Sequence, residues 1–412
     1  MRAALLAAVA LAATLRAEGI SSAAAGVPVH SPARDSTSFE RGHAAYMDRR
    51  FDDSRVWFER AAADSASDSR AHAWLGFAWF RLDQQEAAWR EAHAALALDS
   101  CNTVAWEVLY RTLDPQFGSW SRSDAESAWT CLRVGTRCDS LDGGLWESIW
   151  VGAQERGDEA LVARSIRGIR EAGLYLSPLL ANSRWTLAGL PPRAILLING
   201  DADCYPTLIV QQAEHLRTDV TLVHLSLLAL PWYRRYVRDR LGVPMPLPSA
   251  ALDSLDYTPD GTGGWIPPYR VLVPAWLRMQ AQGSMDRPLA MAVTVDQSGV
   301  PTGSRLRGSH WLLDPRSTST SVDTAAVRRS LMALRAADFL GPGMSAAHRS
   351  PYSRNSGRMV RQNLVWAAYS YCQIAQAAGD ARRAEAVRRW ARSHFGSFPA
   401  EELEALQDPF ER

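Results

Sequence analysis

Small and apolar residues recur at a constant interval along the first part of the chain, beginning near Thr37. The interval is 34 residues, the length of a tetratricopeptide repeat, in which two antiparallel helices are joined by a tight turn. It relates three pairs of positions: Gly42 and Gly76, Ser54 and Ala88, and Ala61 and Ala95. This pattern predicts successive helical hairpins.

Two less regular hairpins follow. Their helices are predicted at residues 103–113, 122–134, around Trp146, Ile149 and Trp150, and at 161–169, with Gly157 at the last turn. We expect Gly42 and Gly76 to let the partner helix approach closely. Phe58 and Trp79 are expected to fill the groove between hairpins. We therefore predict tetratricopeptide-like repeats over residues 37–175; an unrelated helical bundle is the alternative.

The pattern changes after Pro178 from helical spacing to short apolar runs. Residues 194–198 and 220–228 predict buried strands, each followed by a helix, at residues 207–216 and from Pro231 onward. Strand, helix, strand, helix indicates a parallel α/β arrangement. Residues 288–295 are expected to extend the sheet and 307–315 to supply an edge strand, whereas the proline- and glycine-rich residues 244–268 predict an ordered surface loop.

The last part of the chain returns to helical spacing. Helices are predicted at residues 326–340, 358–378 and 381–395, the last two as a hairpin with its turn at Gly379 and Asp380. The predicted fold class is α+β and multi-domain. It has N-terminal hairpins (37–175), a central α/β domain with a mostly parallel sheet (176–320) and a C-terminal helical region (321–412).

The first residues have the three-part pattern of an export signal. Arg2 provides the positive start, residues 3–15 are apolar, and small residues follow up to Gly26. We predict a signal peptide over residues 1–26 and a periplasmic or secreted mature chain without a membrane span, because the apolar stretch is too short to cross a bilayer. A buried N-terminal helix is the alternative.

Composition excludes several classes of chemistry. All 45 basic residues are arginine, so Schiff-base chemistry, lysine-anchored pyridoxal phosphate and a phosphate-binding P-loop are excluded. The net charge of +1 gives no reason to expect nucleic acid as a partner. No cofactor is predicted. Five cysteines leave the disulfides open: Cys131 pairs with Cys138, either of them pairs with Cys101, or all are free thiols.

The central quarter of the chain resembles a known family. Residues 197–206 (LINGDADCYP), 216–220 (LRTDV), 225–228 (LSLL), 231–233 (PWY) and 287–295 (RPLAMAVTV) are similar, in order, to the soluble C-terminal region of bacterial protein-O-mannosyltransferase-like membrane proteins. The resemblance implies the fold and an exported location. It implies no transferase activity, because that activity is assigned to a multi-spanning membrane half that this sequence lacks.

The turn after the first predicted strand is the best candidate site. In open α/β sheets ligands bind beyond the carboxyl ends of strands, and two carboxylates one residue apart suit a divalent cation. The structural alternative is a turn that caps the next helix. Aromatic side chains on the following helix offer faces for a sugar ring or belong to the core. The isolated histidines His215 and His224 are expected to be structural. The candidate ligand-binding residues are Asn199, Asp201, Asp203, Tyr205, Trp232 and Tyr233, and the candidate metal ligands are Asp201 and Asp203.

The sequence contains no complete catalytic set, so it does not establish an enzymatic activity. We expect an exported binding or assembly protein whose partner is a protein or peptide of the cell envelope, with a glycan as a further candidate ligand. One alternative is a metal-dependent enzyme that acts on a glycan or nucleotide-sugar through Asp201 and Asp203. Another is a partner of a separately encoded membrane transferase.

Overall fold

The computed structural model describes residues 37–118, 120–295, 303–317, 319–351 and 355–404. The predicted signal peptide, residues 1–26, lies outside them. The described chain forms two compact units. The hairpin unit comprises residues 37–174 and 345–351, and the sheet unit comprises residues 175–344 and 355–404 within the described ranges. Among the described helices, none has both the length and the apolar character that crossing a membrane requires.

Helices of the hairpin unit pack in consecutive antiparallel pairs, as the 34-residue interval predicts. The pairs are α1 (Ser38–Met47) with α2 (Phe51–Asp64), α3 (Ser69–Arg81) with α4 (Gln85–Leu98), α5 (Thr103–Leu113) with α6 (Ala125–Cys138), and α7 (Gly143–Glu155) with α8 (Glu159–Glu171). Gly157 adopts φ 68° in the turn between α7 and α8, a conformation that glycine reaches without steric cost.

Polar side chains fix where these helices begin. Thr37 and Glu40 form a reciprocal capping box at α1. Five later helices start with an acidic or amide side chain that accepts from a backbone N–H of the first turn, at Asp68, Asn102, Asp124, Asp142 and Asp158. Such caps satisfy amide groups that have no partner within the helix.

Close helix contacts occur at the small residues that define the repeat. A methyl group added at Gly42 would meet the Phe58 ring at 2.8 Å, and Ser54 Oγ donates to the Gly42 carbonyl at 3.0 Å. The equivalent position in the next hairpin, Gly76, lies where an added Cβ would be 3.2 Å from the Ala88 carbonyl oxygen. The prediction that glycine permits this approach is confirmed, because an added Cβ would overlap the Phe58 ring at Gly42 and would be in tight contact with α4 at Gly76.

The groove between the first two hairpins differs from the expectation at Trp79. Phe58 is fully buried and stacks on Trp74, with ring centres 6.0 Å apart. Trp79 is only half-buried, and the guanidinium group of Arg55 lies 5.0 Å from its ring centre. Trp74, rather than Trp79, therefore fills the space between the first two hairpins.

One disulfide links the two ends of the third hairpin. Cys101 is bonded to Cys138, with Cα atoms 5.1 Å apart, and joins the start of the third hairpin to the end of α6. Cys131, Cys204 and Cys372 are buried free thiols. The structure thus selects one of the pairings that the sequence left open.

Six short strands form the main sheet of the sheet unit. They are β1 (Ile195–Ile198), β2 (Thr221–His224), β5 (Leu289–Ala292), β6 (Ser304–Leu306), β7 (His310–Leu313) and β8 (Ser321–Val322), in the spatial order β2-β1-β5-β7-β6-β8. Strand β1 lies between β2 and β5 and is parallel to both. Strand β7 is antiparallel to β5 and β6, and β6 is parallel to β8. The sheet is mixed, and most of its pairings are parallel.

The sheet unit also contains eight described α-helices. They are α9 (Ser177–Gly189), α10 (Asp201–Glu214), α11 (Pro231–Asp239), α12 (Ser249–Asp253), α13 (Tyr269–Ala281), α14 (Thr324–Met332), α15 (Ser356–Ala377) and α16 (Ala381–His394). The C-terminal hairpin α15–α16 agrees with the sequence pattern and packs in the same unit as the sheet.

Several boundaries differ from the sequence prediction for identifiable reasons. Helix α10 begins at Asp201, six residues before the predicted start at residue 207, and contains Pro206 in its second turn. Strand β2 ends at His224, and residues 226–229 form a 3₁₀ turn. The predicted edge strand 307–315 is wrong in its position, because β7 is hydrogen bonded on both sides and β8 lies at the edge. Residues 244–268 include α12 and a two-stranded ribbon, β3 (Thr258–Pro259) with β4 (Trp265–Ile266).

Replacing Gly76 tests the close helix packing. Gly76→Val places branched carbons against the Ala88 carbonyl and the Val108 side chain, both only 3.2 Å from the position of the first added carbon. We expect the free energy of unfolding to fall by about 1–3 kcal/mol through overpacking, measured by urea denaturation followed by circular dichroism. Gly144→Ala is the control, because its added carbon has no neighbour closer than 3.5 Å. Equal effects of the two substitutions would contradict the packing argument.

Candidate functional site

The candidate site lies at one edge of the sheet, where the parallel strands end. Ile198 at the end of β1 is paired with His224 at the end of β2, and Leu197 is paired with Met291 of β5. Because the three strands are parallel neighbours, the residues that follow them meet at this edge. Asp201 and Asp203 are in the first turn of α10, directly after β1.

Asp203 is turned towards β5. Its Oδ2 accepts a hydrogen bond from Thr294 Oγ1, two residues beyond the end of β5. The pKa of Asp203 is raised above its ordinary value, chiefly because burial disfavours the carboxylate. Hydrogen bonds from Thr294 and from the backbone of Asn199, and the nearby His224, oppose this rise only in part. Asp203 is therefore a partly occupied acceptor rather than a free anionic ligand.

Asp201 is turned towards solvent and towards His224. Its side chain is 63% exposed, and its Oδ1 is 3.7 Å from His224 Nε2. The His224 side chain is buried, and its Nδ1 has no hydrogen-bond partner among the described residues. His224 is expected from the sequence to be structural, but its place at the carboxyl end of a parallel strand brings it beside Asp201.

The loop between β1 and α10 is held by backbone contacts. Ser226 Oγ donates to the Asn199 carbonyl oxygen at 3.2 Å, and the Leu225 amide donates to the Ile198 carbonyl oxygen at 2.8 Å. Asn199 itself is exposed at the end of β1. The loop thus ties the ends of β1 and β2 together and leaves the Asn199 side chain at the surface.

The aromatic residues have a different role from the predicted sugar platform. Tyr205 is 3% and Tyr233 is 1% exposed, so neither ring presents a face to a ligand at the surface. The Tyr233 hydroxyl accepts from the His224 amide at 3.0 Å, and its ring stacks on Tyr236 with ring centres 6.1 Å apart. Tyr233 therefore holds the end of β2 in place. Trp232 is half-buried, edge-on to Tyr233.

The arrangement offers little to a metal ion. Divalent cations such as Ca²⁺ take six to eight oxygen ligands, and no group of three or more metal-ligating side chains occurs anywhere in the described residues. Asp201 and Asp203 are the two carboxylates at this edge, and one oxygen of Asp203 already accepts from Thr294. What the edge does provide is an exposed carboxylate beside a buried imidazole.

Comparison with known proteins identifies one matching domain family. Residues 181–298 match the family described as TMEM260-associated domain 2. The matched segment, less than a third of the chain, runs from within α9 past the end of β5 and contains all the candidate site residues. TMEM260 is itself protein-O-mannosyltransferase-like, so the match is consistent with the resemblance found in the sequence. A search of curated proteins finds no significant match.

The raised pKa of Asp203 predicts a specific pH dependence. A carboxyl group whose pKa is higher in the folded state than its unfolded value, about 3.9, costs stability as the pH rises through the folded pKa. Asp203→Asn removes that cost and keeps an acceptor for Thr294. We expect its free energy of unfolding, relative to the unsubstituted protein, to increase from about pH 3.5 to pH 7, measured by denaturant titrations across that range.

Asp219 provides a control of opposite sign on the same unit. Arg217 donates to both of its oxygens, at 2.8 and 3.0 Å, and the Arg193 amide donates at 2.7 Å. These hydrogen bonds, that of Arg217 foremost, hold the pKa of Asp219 below its ordinary value. Asp219→Asn should therefore be destabilising at neutral pH, with the loss shrinking as the pH falls. The same pH trend in both variants would refute the assignment for Asp203.

Proposed function

We propose that the chain is a non-catalytic binding or assembly protein of the cell envelope, periplasmic or secreted, whose hairpin unit binds short polypeptide segments. One observation carries the proposal. Residues 345–351, more than 170 positions beyond the last hairpin helix, return to the hairpin unit and lie against α5 and α7. These are the first helices of the third and fourth hairpins.

Arg349 makes the central contact of this segment. Its guanidinium is hydrogen bonded to Glu107 Oε2 on α5. Nη2 donates to Asp142 Oδ2 at 2.6 Å and approaches Thr103 Oγ1 at 3.4 Å. The other oxygen of Asp142 caps α7 through the Gly144 amide at 3.1 Å. One arginine thus connects two neighbouring hairpins.

The charges at this contact are removed from water. Glu107 is 3% exposed, and its Oε1 accepts from Arg111 Nε and Nη2 at 3.0 and 2.8 Å. Burial raises the pKa of Glu107, but the guanidinium groups of Arg349 and Arg111 outweigh it and hold the pKa below its ordinary value. The carboxylate is therefore stable only while its arginine partners are present.

A second polar contact lies one residue earlier. His348 Nε2 is 3.9 Å from Glu147 Oε2 on α7, and the two side chains are only 10% and 13% exposed. Ala346 and Ala347, which precede it, are exposed, so their side chains do not determine the contact with the helices. The surface formed by Glu107, Asp142 and Glu147, here named the acidic face, therefore suits a short segment with adjacent histidine and arginine side chains.

Location in the envelope is supported by two features of the sequence. The N-terminal pattern is that of an export signal, and the central region matches a domain family associated with a protein-O-mannosyltransferase-like membrane protein. Helical repeats most often serve as binding scaffolds, because stacked hairpins create an extended surface. These features agree with a binding or assembly role.

Loss of the Arg349 charge should destabilise the hairpin unit strongly. Arg349→Ala leaves Glu107 and Asp142 short of a buried cationic partner, so we expect the free energy of unfolding to fall by about 3–5 kcal/mol. Arg50→Ala is the control, because Arg50 makes a surface pair with Asp53 and its side chain is 50% exposed. Its loss should cost less than about 1 kcal/mol. Denaturant titration of both variants measures the difference.

Binding in trans tests the proposed function directly. The full chain carries His348→Ala and Arg349→Ala, which remove the two side chains that contact the acidic face. A fluorescent peptide with the sequence of residues 345–351, SAAHRSP, is titrated into this double variant. We expect saturable binding by fluorescence anisotropy and a rise in Tm of the variant with peptide. If the double variant does not fold, Arg349→Lys serves instead, because the single ammonium group of lysine lacks the planar set of N–H donors with which the guanidinium binds Glu107 and Asp142 together.

Two controls make the binding result specific. The peptide SAAHASP lacks the arginine, and Glu107→Gln in the double variant removes the buried carboxylate; each should weaken binding at least tenfold. Binding of SAAHRSP that is indifferent to both changes, or no binding to a folded variant, would overturn the proposal that the acidic face recognises such segments.

The alternative function is a metal-dependent enzyme acting on a glycan or nucleotide-sugar. It is favoured by one observation, the placement of Asp201, Asp203 and His224 at the carboxyl ends of parallel strands. Calorimetry with Mn²⁺ or Mg²⁺ separates the two proposals. Saturable binding that is lost in an Asp201→Asn/Asp203→Asn double variant would favour the enzyme, whereas the absence of binding would remove it.

A further inference from the structure

A fully buried arginine with unfilled hydrogen-bonding capacity lies on α11. Arg234 is 0% exposed. Its Nη1 donates to the Leu228 and Ala229 carbonyl oxygens, at 2.5 and 2.9 Å, in the 3₁₀ turn that follows β2. Nε and Nη2 of the same guanidinium have no partner among the described residues. Nε and Nη2 carry three of the five N–H groups of this buried cation, and these are therefore unsatisfied.

The two carboxylates that act on this guanidinium electrostatically do not provide an acceptor oxygen to Nε or Nη2. Asp253 and Asp256 attract the guanidinium through space only, and Asp253 Oδ1 is already bonded to Arg235 Nη1 at 2.7 Å. Burial lowers the pKa of Arg234 in spite of these two charges. The cation is thus held away from water without the anionic partner that a buried charge requires.

Other sequestered arginines of the sheet unit show what is missing. Arg361, with 11% of its side chain exposed, binds both oxygens of Glu402, Nε at 2.7 Å and Nη2 at 2.9 Å. Arg217 uses its Nε and Nη2 in the same way on Asp219. In both cases the side of the guanidinium formed by Nε and Nη2 holds a carboxylate. In Arg234 that same side is covered by the protein but meets no hydrogen-bond acceptor among the described residues.

We propose that Arg234 anchors a binding site for an oxyanion, a phosphate or carboxylate group, held by two parallel hydrogen bonds from Nε and Nη2. Paired N–H groups in a planar fork match two oxygens of one anion, and such charge-assisted pairs are the strongest hydrogen bonds of their kind. The carbonyl contacts of Nη1 fix the orientation of the fork before the anion arrives. The site lies beyond the end of β2, on the 3₁₀ turn and α11.

Entry to this site requires local opening. Because no part of the Arg234 side chain is exposed, an anion reaches the guanidinium only when the residues that cover it separate. The bound anion then stabilises the folded chain in which these residues are closed over Arg234, since the ligand binds the folded chain and not the unfolded one. Anion binding should therefore appear as increased stability of the full chain.

The test compares Arg234→Met with a matched variant on the same helix. Arg235→Met removes an arginine whose side chain is 49% exposed and paired with Asp253. The Tm of the full chain and of each variant is measured in sodium phosphate and in sodium acetate, against sodium chloride at equal ionic strength. We expect one oxyanion to raise the Tm of the unsubstituted chain and of Arg235→Met by about 5 °C at a concentration near 100 Kd, with no rise in Arg234→Met.

Comparing phosphate and acetate with chloride shows whether an oxyanion binds and which kind it is. A response to phosphate alone identifies a phosphate group as the ligand, and a response to acetate alone identifies a carboxylate. In chloride, Arg234→Met should be at least as stable as the unsubstituted chain, because it removes a buried charge that lacks a partner. If Arg234→Met does not fold, Arg234→Lys replaces it and should lose at least tenfold in affinity by calorimetry. No oxyanion effect beyond chloride, or an equal effect in Arg234→Met, would overturn the proposal.

Discussion

A charged group that folding removes from water needs a partner of opposite charge or several hydrogen bonds, because its desolvation costs several kcal/mol. This constraint shapes both units. In the hairpin unit, Glu107 is buried between Arg111 and Arg349, so residues 345–351 must return to the first helices of the third and fourth hairpins. In the sheet unit, Glu402 is buried against Arg361 and fixes the segment that follows α16.

The same constraint separates structural from functional candidates. Asp203 meets it through Thr294 and has little capacity left for a ligand. Tyr233 is neutral, but its buried hydroxyl group also needs a partner; it accepts from the His224 amide and belongs to the core. Arg234 does not meet it within the described residues, which is why an anion is proposed there. The acidic face and the Arg234 site are thus inferred from opposite cases, a buried charge with its partner and a buried charge without one.

The two proposals assign different chemistry to the two units. The acidic face of the hairpin unit selects a cationic segment of polypeptide, and its present occupant is part of the same chain. The Arg234 site of the sheet unit selects a small oxyanion at the carboxyl end of a parallel strand, where α/β folds commonly place ligands. Neither requires bond-making, in agreement with the lack of a complete catalytic set in the sequence.

Local patterns in the sequence were sufficient for much of the architecture. The 34-residue recurrence predicted the hairpins, because Gly42 and Gly76 lie where a larger side chain would overlap the facing helix. Short apolar runs predicted β1, β2 and β5. Prediction was wrong where tertiary context outweighs local preference: Pro206 lies inside α10, and β7 is interior because it has partners on both sides.

What the sequence by itself determined is the order of elements, since helical and strand periodicities are properties of neighbouring residues. The sites were decided only by the tertiary structure. Arg349 meets Glu107 across more than 240 positions of the chain, and His224 lies beside Asp201 only because β1 and β2 are parallel. That Nε and Nη2 of Arg234 lack an acceptor among the described residues becomes visible only when its neighbours are in place. Such contacts join residues far apart along the chain, and no local pattern encodes them.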